Sequence, residues 1–571
     1  MRHKRRVILL LCASLLTQAA GRDRTTAPLA TAAPSICHVS VPSPTGVPET
    51  LAGWAQGAQL FDGLGNRTRA ITTTSAHAQT YFDQGIAWLW AYNHDEATRS
   101  FARAAALDPG CAMCFWGVAL TIGPNYNLNV MSDPRGRVAY AALRQAQALA
   151  PRAAPVEQAL IAALAARYPN ASKLDDAAFE KVQIAYAAAM RDVAARFPDD
   201  MDVQTLTAEA VMTTNAWKLW TLDGKPAALT PEILARLQAI LKRDPQHPGA
   251  NHYYIHALEA SPHPELAEAA ADRLRGMMPG AGHLEHMPSH IYQRIGRYED
   301  SAEANRRGTA ADLAYFKRTA PLDYYSGYTA HNFQFEALGA AMEGRLAEAL
   351  RAMDGAQASL TPEDMKGGLG WLQGQRYAYL LRYGKWRQML ALPAPDAANR
   401  SLMVAWLWAH GTAQAATGQV AAALATLARL QASGKSLDAK DSAGFDKTSD
   451  VQQICEHLLR ARIAQAANQP ANELSELRAA VTAEDKLAYS EPPTWFTPTR
   501  QMLGAALLRN GQPAAAERIY REDLARTPEN GFSLLGLAQS LTAQGTPSAD
   551  INARFARAWS HADTKLSASA L

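Results

Sequence analysis

The stretch YFDQGIAWLWAYNHDEATRSFARAAALDP, residues 81–109, contains two helical patterns separated by a short turn. Apolar and small residues recur at helical spacing on both sides of residues 92–95, among them Ala97, Phe101 and Ala104 in the second half. The dipeptide Asp108–Pro109 then ends the pattern, because proline cannot continue a helix. The stretch therefore predicts a hairpin of two packed helices.

The same pattern recurs along most of the chain. Further copies are found at 233–245, 295–308, 343–353, 417–430 and 510–530. Repeated helical hairpins of this kind resemble the tetratricopeptide repeat, which has a period of about 34 residues. The resemblance covers most of residues 77–560 and implies an all-α fold, a right-handed solenoid of stacked helical hairpins. The concave face of such a solenoid is usually a binding surface.

The beginning of the chain has the pattern of an export signal. Residues 1–20 combine the basic start MRHKRR, the apolar stretch VILLLCASLL and the small residues of TQAA, and the apolar stretch is too short to span a bilayer. We therefore expect a periplasmic or secreted protein. Residues 21–50 are rich in Thr, Ala, Pro and Ser, which predicts a disordered linker.

The remaining residues, 51–571, are expected to form a single solenoid. The proline breaks at 109, 151, 198 and 245 are separated by more than one ordinary repeat length, so the first hairpins should be elongated, with longer helices that could wall off a pocket. We divide the solenoid into three parts: elongated hairpins at 77–245, histidine-bearing hairpins at 246–342 and C-terminal hairpins at 343–563.

Composition excludes several classes of function. Residues 1–20 hold four of the 56 basic residues and none of the 53 acidic ones, so the rest of the chain is nearly neutral and no basic patch predicts nucleic-acid binding. No other segment has eighteen uninterrupted apolar residues, so no transmembrane segment is expected in the mature chain. The sequence also has no GxSxG motif and no glycine-rich phosphate loop.

Four cysteines follow the signal: Cys37, Cys111, Cys114 and Cys455. In an oxidising compartment Cys111 and Cys114 can pair with each other or with the other two, and the sequence does not decide between these pairings. The CxxC motif lies at a predicted helix start without a βαβ pattern, which favours a structural role.

Two pairs of histidines occupy equivalent positions in consecutive repeats. NHYYIHALE (251–259) contains His252 and His256, and EHMPSHIY (285–292) contains His286 and His290, each one repeat period after its counterpart. Residues four apart share one helix face, and neighbouring helices lie about 8–10 Å apart. The four imidazoles are therefore expected to converge on one point in the groove.

The first helix of the following repeat adds His331, with Asn332 next to it. Glu259 and Glu285 flank the two histidine pairs, and carboxylates can complete a metal shell or orient a ring nitrogen. Imidazole is the commonest protein ligand for zinc, copper and iron, so this set predicts a divalent transition-metal site. The pairs do not form an HExxH motif, so a zincin-type protease is not expected.

Other candidates for the groove are weaker. His94 lies at a hairpin turn, where a helix cap or a solvent-exposed position is favoured over a functional role. Asn125 in GPNYN is either a turn residue or a groove residue. Tyr253 and Tyr324 flank the histidines and are expected to shape a substrate pocket, and the loop at 489–501 is expected to close one end of the groove.

Longer blocks of the sequence resemble a group of large bacterial exported tetratricopeptide-repeat proteins. They are NHDEATRSFARAAALDPGCAMCFWGVAL (93–120), NHYYIHALEAS (251–261), PGAGHLEHMPSHIYQRIGRYEDSAEAN (279–305) and EPPTWFTPTRQMLGAALLRNGQPAAAERIYREDL (491–524). The resemblance implies the helical solenoid and implies that the histidine blocks belong to the architecture of the whole group. It implies no particular activity.

Two functions remain open at this point, beside plain structural packing of the histidines. The first is a metalloprotein with copper, zinc or iron in the groove, which could catalyse an oxidative or hydrolytic reaction on a small molecule. The second is a non-enzymatic scaffold that binds peptides or envelope proteins in the same groove. Fold alone favours the scaffold, but fold is a poor guide to function.

Overall fold

The computed structural model describes residues 46–129, 131–171, 174, 176–319, 325–361, 364 and 368–570. The predicted signal peptide, most of the predicted linker and Cys37 lie outside these residues. The described residues belong to one compact unit.

The fold is all-α, as the sequence predicts. The helices of the first part are Leu51–Ala55, Ala76–Trp90, His94–Leu107, Ala112–Thr121, Asp133–Leu149, Pro155–Leu164, Asp176–Arg196, Met201–Thr213 and Thr230–Arg243. Those of the histidine-bearing part are Pro248–Leu258, Glu268–Leu274, Gly282–His286, Pro288–Arg294, Tyr298–Arg318 and Tyr325–Met342. Those of the last part are Leu346–Ala358, Gly374–Arg382, Trp386–Ala391, Arg400–Ala416, Val420–Gly434, Thr448–Ala466, Pro470–Glu484, Thr499–Arg509, Pro513–Arg526, Gly531–Ala543 and Ala549–Ala558.

Short elements supplement these helices. Short 3₁₀ helices lie at Ala150–Arg152, Ala165–Arg167, Pro264–Ala267 and Gly368–Gln373. Two two-residue strands, Ser442–Ala443 and Asp446–Lys447, pair antiparallel with Ser442 opposite Lys447. Among the described residues, no helix is long and apolar enough to cross a membrane.

Successive helices pack against each other as hairpins, which gives the tetratricopeptide-type solenoid. In the hairpin at 76–107, Ser75 caps the first helix and Asn93 caps the second, each through its side-chain oxygen. Phe101 lies between Gly85 and Gly117, where a Cβ would approach its ring to 2.6 and 2.4 Å. Only glycine permits so close a contact, so these two residues fix the packing of three consecutive helices.

The extra length of the first hairpins lies partly in long helices, of which Asp133–Leu149 and Asp176–Arg196 have 17 and 21 residues, and partly in connections. The helix Ala112–Thr121 ends before Gly123-Pro124, and the next helix begins only at Asp133. Proline has no N–H to continue the helix, so the chain leaves it there. A second long connection, 214–229, follows Met201–Thr213. Both connections bring aromatic side chains to the histidines described below.

Segments distant in sequence also meet. The Tyr489 hydroxyl donates to the Glu259 carbonyl oxygen at 2.8 Å. The Tyr298 hydroxyl donates to the Pro528 carbonyl oxygen at 2.9 Å. The last hairpins therefore contact the histidine-bearing ones directly. Cys111 and Cys114 form a disulfide at the start of a helix, and Cys455 is a buried free thiol.

Candidate metal centre

Three helices supply the histidines. We call Pro248–Leu258 the first histidine helix, Gly282–Arg294 the second and Tyr325–Met342 the third. The first two begin one repeat period apart, as the sequence predicts. The second is interrupted at Met287 because Pro288 cannot donate to the carbonyl oxygen four residues earlier. Met287 keeps helical backbone angles, so the histidines on both sides of it stay on one face.

Six histidines come together in the core, in two sets of three. The first set is His252, His256 and His283, and the second is His286, His290 and His331. Within each set one nitrogen from every ring lies within 4.8 Å of the others. The convergence predicted for His252, His256, His286, His290 and His331 is therefore present in the structure, but these residues divide between two sets instead of sharing one.

The two sets are adjacent. Within sets, the rings of His252 and His256 lie 4.8 Å apart between centroids, and those of His286 and His331 lie 4.9 Å apart. Between sets, His283 lies 5.8 Å from His286 and His256 lies 6.0 Å from His290. The spacing between the sets is thus close to the spacing within them.

All six imidazoles are buried, with no more than 1% of any residue exposed. Burial lowers the pKa of five of them, because a buried imidazolium loses its hydration; that of His331 falls to about 3. These five rings are therefore uncharged at neutral pH. The uncharged ring is also the form that binds a metal.

His290 behaves differently. Burial alone would lower its pKa, but the carboxylates of Glu491 and Glu259 outweigh that effect and raise it to about 10. Its Nδ1 lies 2.9 Å from Glu259 and also contacts Glu491. Both carboxylates are buried, and Arg294 is a second cation that acts on them beside His290.

Three of the rings are held through Nδ1 by hydrogen-bond acceptors, and Nδ1 of a fourth, His290, lies at ion-pair distance from two carboxylates. Nδ1 of His252 lies 2.7 Å from the Trp90 carbonyl oxygen, and Nδ1 of His256 lies 3.1 Å from Glu259. The Nδ1 atom of His286 lies 2.6 Å from the Asn305 side-chain oxygen, and that of His290 contacts the two carboxylates. A bonded Nδ1–H leaves the lone pair on Nε2, which is how proteins orient metal-ligating histidines.

The opposite nitrogens lack protein partners or face one another. Nε2 of His252 and of His256 makes no hydrogen bond among the described residues, and neither nitrogen of His331 makes one. Nε2 of His286 lies 2.8 Å from Nε2 of His290. Because the raised pKa keeps the His290 ring protonated in the metal-free site, its Nε2–H donates to the Nε2 lone pair of the neutral His286 ring.

Aromatic rings surround the imidazoles. Phe335 lies within 5.0 Å of the rings of His286, His290 and His331 between centroids. Tyr92 lies in the first hairpin turn with a positive φ of 51°, and its ring lies 4.6 Å from that of His252. The long connections supply Tyr126 and Trp217, whose rings lie 5.3 and 5.6 Å from that of His256.

The other predicted residues are placed around the cluster at different distances. Glu259 belongs to it, and Tyr253 stacks on Tyr92 at 5.4 Å beside it. Glu285 instead turns away to pair with Arg307 at 2.8 Å, and Asn332 donates to Asp312 at 2.9 Å. Tyr324 lies outside the described residues.

Asn125 and His94 contact each other rather than the metal candidates. The Asn125 amide nitrogen lies 3.2 Å from Nδ1 of His94. His94 is buried, so it neither faces solvent nor caps the helix, which is capped by Asn93. Asn125 accepts from the backbone N–H groups of Asn127 and Leu128, which is the turn role considered for it.

Three residues of the site were not singled out from the sequence. His283 carried a usable signal, because it precedes His286 by three and His290 by seven and so lies on the same helix face. Asn305 and Glu491 gave no such signal. Glu491 stands far beyond His290 in the sequence, in the loop that was expected to close one end of the groove.

No protein-family model matches the chain, and no curated protein matches it. Among solved structures, the human IFIT1 dimer with m7Gppp-AAAA is 11% identical over 79% of this chain and 90% of that one, with a TM-score of 0.31. Yeast Tom70 is 9% identical over 83% and 90%, with a TM-score of 0.29. The APC/C hetero-tetramer Cut9-Hcn1 is 11% identical over 85% and 90%, with a TM-score of 0.26. We draw no functional argument from similarities at this level.

Proposed function

We propose that the chain is an exported metalloprotein that holds a transition metal, copper, zinc or iron, between consecutive helical hairpins. The observation that carries the proposal is the orientation of three buried imidazoles, those of His252, His256 and His286, through Nδ1, which turns their Nε2 lone pairs towards neighbouring rings. Imidazole nitrogens held in this way are the ligands that these metals prefer.

Structural packing accounts poorly for this arrangement. A buried polar atom without a partner costs about 1–3 kcal/mol, and native cores contain few of them. Here Nε2 of His252 and of His256 and both nitrogens of His331 are buried without a hydrogen bond among the described residues. A metal bound at the first set would satisfy Nε2 of His252 and of His256, and one bound at the second set would satisfy one of the two nitrogens of His331.

The scaffold alternative has less support at the histidines. A groove that binds peptides must present its side chains to the peptide, whereas these six rings are almost entirely inaccessible. A small ligand that reaches a metal fits the burial better than an extended chain. Peptides or envelope proteins remain candidate partners for other surfaces of the solenoid.

The donor sets indicate what kind of chemistry a bound metal could supply. Three imidazoles leave a coordination position open, as in catalytic rather than structural sites, and a metal there activates water or dioxygen according to its identity. The chain's own residues would hold the ion, keep the histidine tautomers fixed and exclude bulk water through Tyr92, Phe335 and Trp217. The proposed reaction is one on a small molecule, oxidative with copper or iron and hydrolytic with zinc.

We also propose that the protein belongs to the group of bacterial exported tetratricopeptide-repeat proteins whose blocks it resembles. The signal-like residues 1–20 support export. The Cys111–Cys114 disulfide is consistent with an oxidising compartment.

The test is elemental analysis of the mature protein, purified from the periplasm without an affinity histidine tag. We expect at least one copper, zinc or iron ion per chain. The double variant His252→Gln/His286→Gln, which alters one histidine in each set, should lose most of the metal. The control is His263→Gln, because the His263 side chain is 67% exposed and lies outside both sets.

Folding of all variants would be compared by circular dichroism. An absence of metal from the wild type, even after reconstitution with each of the three metals, would overturn the proposal. Equal metal content in the wild type and the double variant would overturn it as well, because the metal would then be bound elsewhere.

A further inference from the structure

The number of histidines exceeds what one metal ion requires. Four ligands saturate most zinc and copper sites, and catalytic sites use three. The structure offers six imidazoles, each in one of two non-overlapping sets. No histidine has to be shared between the sets.

Each set has the dimensions of a separate metal site. Three nitrogens bound to one ion at 2.0–2.1 Å lie about 3.3–3.6 Å from one another in tetrahedral or trigonal geometry. In both sets the nitrogens already lie within 4.8 Å of one another, so small rotations of the rings bring them to that spacing.

We infer that the histidine cluster binds two metal ions side by side, one on His252, His256 and His283 and the other on His286, His290 and His331. This inference rests on the proposed function and extends it from one ion to two. The nearest rings of the two sets lie 5.8 and 6.0 Å apart between centroids, so the two ions would be neighbours within one cluster.

The surrounding charges favour copper. All six donors are imidazoles, which are neutral when they bind a metal, and the two buried carboxylates at the cluster, Glu259 and Glu491, contact histidines. Two cuprous ions carry a total charge of +2, which is the smallest charge that two ions of these metals bring to the buried site. Two zinc or ferrous ions carry +4, and such a charge in a buried site needs further anions.

A third grouping, Glu259 with His290 and Glu491, also has the spacing of a metal site. It competes with the second set for His290, because it uses Nδ1 of the ring whose Nε2 faces His286. We assign the two carboxylates an orienting role, since buried carboxylates commonly bind the far nitrogen of a ligating histidine.

The experiment counts ions in the full mature chain after anaerobic loading with Cu(I) and removal of excess metal. We expect two copper ions per chain in the wild type. His283→Gln and His331→Gln each alter one set only, so each should retain one ion. His263→Gln serves as the control and should retain two.

The outcomes separate this inference from the proposed function. One ion per chain in the wild type would overturn the two-ion inference and leave the metalloprotein proposal intact. No ion would overturn both. Two ions in the wild type and also in both single-set variants would overturn the assignment of these residues, and the wild-type count decides between one ion and two even if a variant fails to fold.

Discussion

At the scale of single residues, a variant of Glu491 tests whether this carboxylate orients His290 or binds the metal itself. Its carboxylate contacts Nδ1 of His290. In Glu491→Gln the amide oxygen still accepts from Nδ1–H, but the negative charge is lost. We expect the same number of bound ions and an affinity about 10–100-fold lower, as for other residues that orient ligating histidines.

The measurement is a competition titration against a chelator of known affinity. Glu265→Gln is the matched control, since the Glu265 side chain is 54% exposed and contacts only the surface residue His263 among the described ion pairs. Loss of one ion per chain in Glu491→Gln would show instead that the carboxylate is itself a ligand.

The pKa of a second residue, Asp312, predicts how the stability of the fold depends on pH. It is buried beside the third histidine helix and accepts from Tyr325 and Asn332. Burial raises its pKa to about 7, well above the value of about 3.9 in an unfolded chain. Between these two pH values the folded state binds the extra proton, so this residue's contribution makes stability fall as pH rises from about 4 to 7.

In Asp312→Asn the side chain cannot ionise, so the variant should lack this residue's share of the fall in stability between about pH 4 and 7. Relative to the wild type, the variant should gain stability as pH rises through that window, by up to about 4 kcal/mol for the difference between the folded and unfolded pKa values. Urea unfolding at pH 5 and at pH 8 measures the difference. The exposed Asp550→Asn should show no such gain, and a gain of equal size there would refute the assignment to Asp312.

The sequence predicted those residues of the site whose positions follow from the helix period and the repeat period. Helix faces and the repeat period place His252, His256, His286 and His290 together, and the structure does so. Periodicity does not say which rings share an ion, because that depends on side-chain rotamers and on acceptors such as the Trp90 carbonyl oxygen. For His94 the burial came from the long connection containing Asn125, which no local pattern reveals.

At the scale of secondary structure, Gly282 fixes the position of the second histidine helix. A Cβ at this residue would lie 2.0 Å from an Asp312 oxygen and 2.7 Å from the Gly308 carbonyl oxygen. In Gly282→Ala the helix must therefore move away from its neighbour. We expect destabilisation by about 1–3 kcal/mol and weaker metal binding, because His283, His286 and His290 move with the helix.

Gly136→Ala is the control for this change. Gly136 lies in the helix Asp133–Leu149, and a Cβ there would meet only Met131 at 3.6 Å. Alanine should be neutral or stabilise that helix by up to about 1 kcal/mol. Thermal unfolding and metal titration of both variants provide the measurement. Unchanged stability and affinity in Gly282→Ala would show that the helix tolerates the shift.

At the scale of the whole molecule, the histidine cluster joins segments that are far apart in sequence. The Trp90 carbonyl oxygen contacts His252, and the Tyr489 hydroxyl contacts the backbone of Glu259. The sequence predicted the repeated hairpins, since each is formed by local contacts. Contacts between such distant segments leave no local pattern, which explains why Glu491 was not predicted.

This connectivity predicts that metal binding stabilises distant segments together. A ligand that binds only the folded state adds about 4 kcal/mol at a free concentration 1,000 times its Kd. Copper loading should therefore raise the melting temperature. It should also slow hydrogen exchange in the first hairpin turn at Tyr92 and in the loop around Glu491, because both contact the histidines directly.

Differential scanning calorimetry and hydrogen exchange with mass spectrometry, with and without copper, measure the two effects. The double variant His252→Gln/His286→Gln should show neither the higher melting temperature nor the protection at the two segments. Protection confined to the first and second histidine helices would mean that the metal orders its own ligands without stabilising the rest of the chain. Equal stabilisation of wild type and variant would place the bound copper outside the cluster.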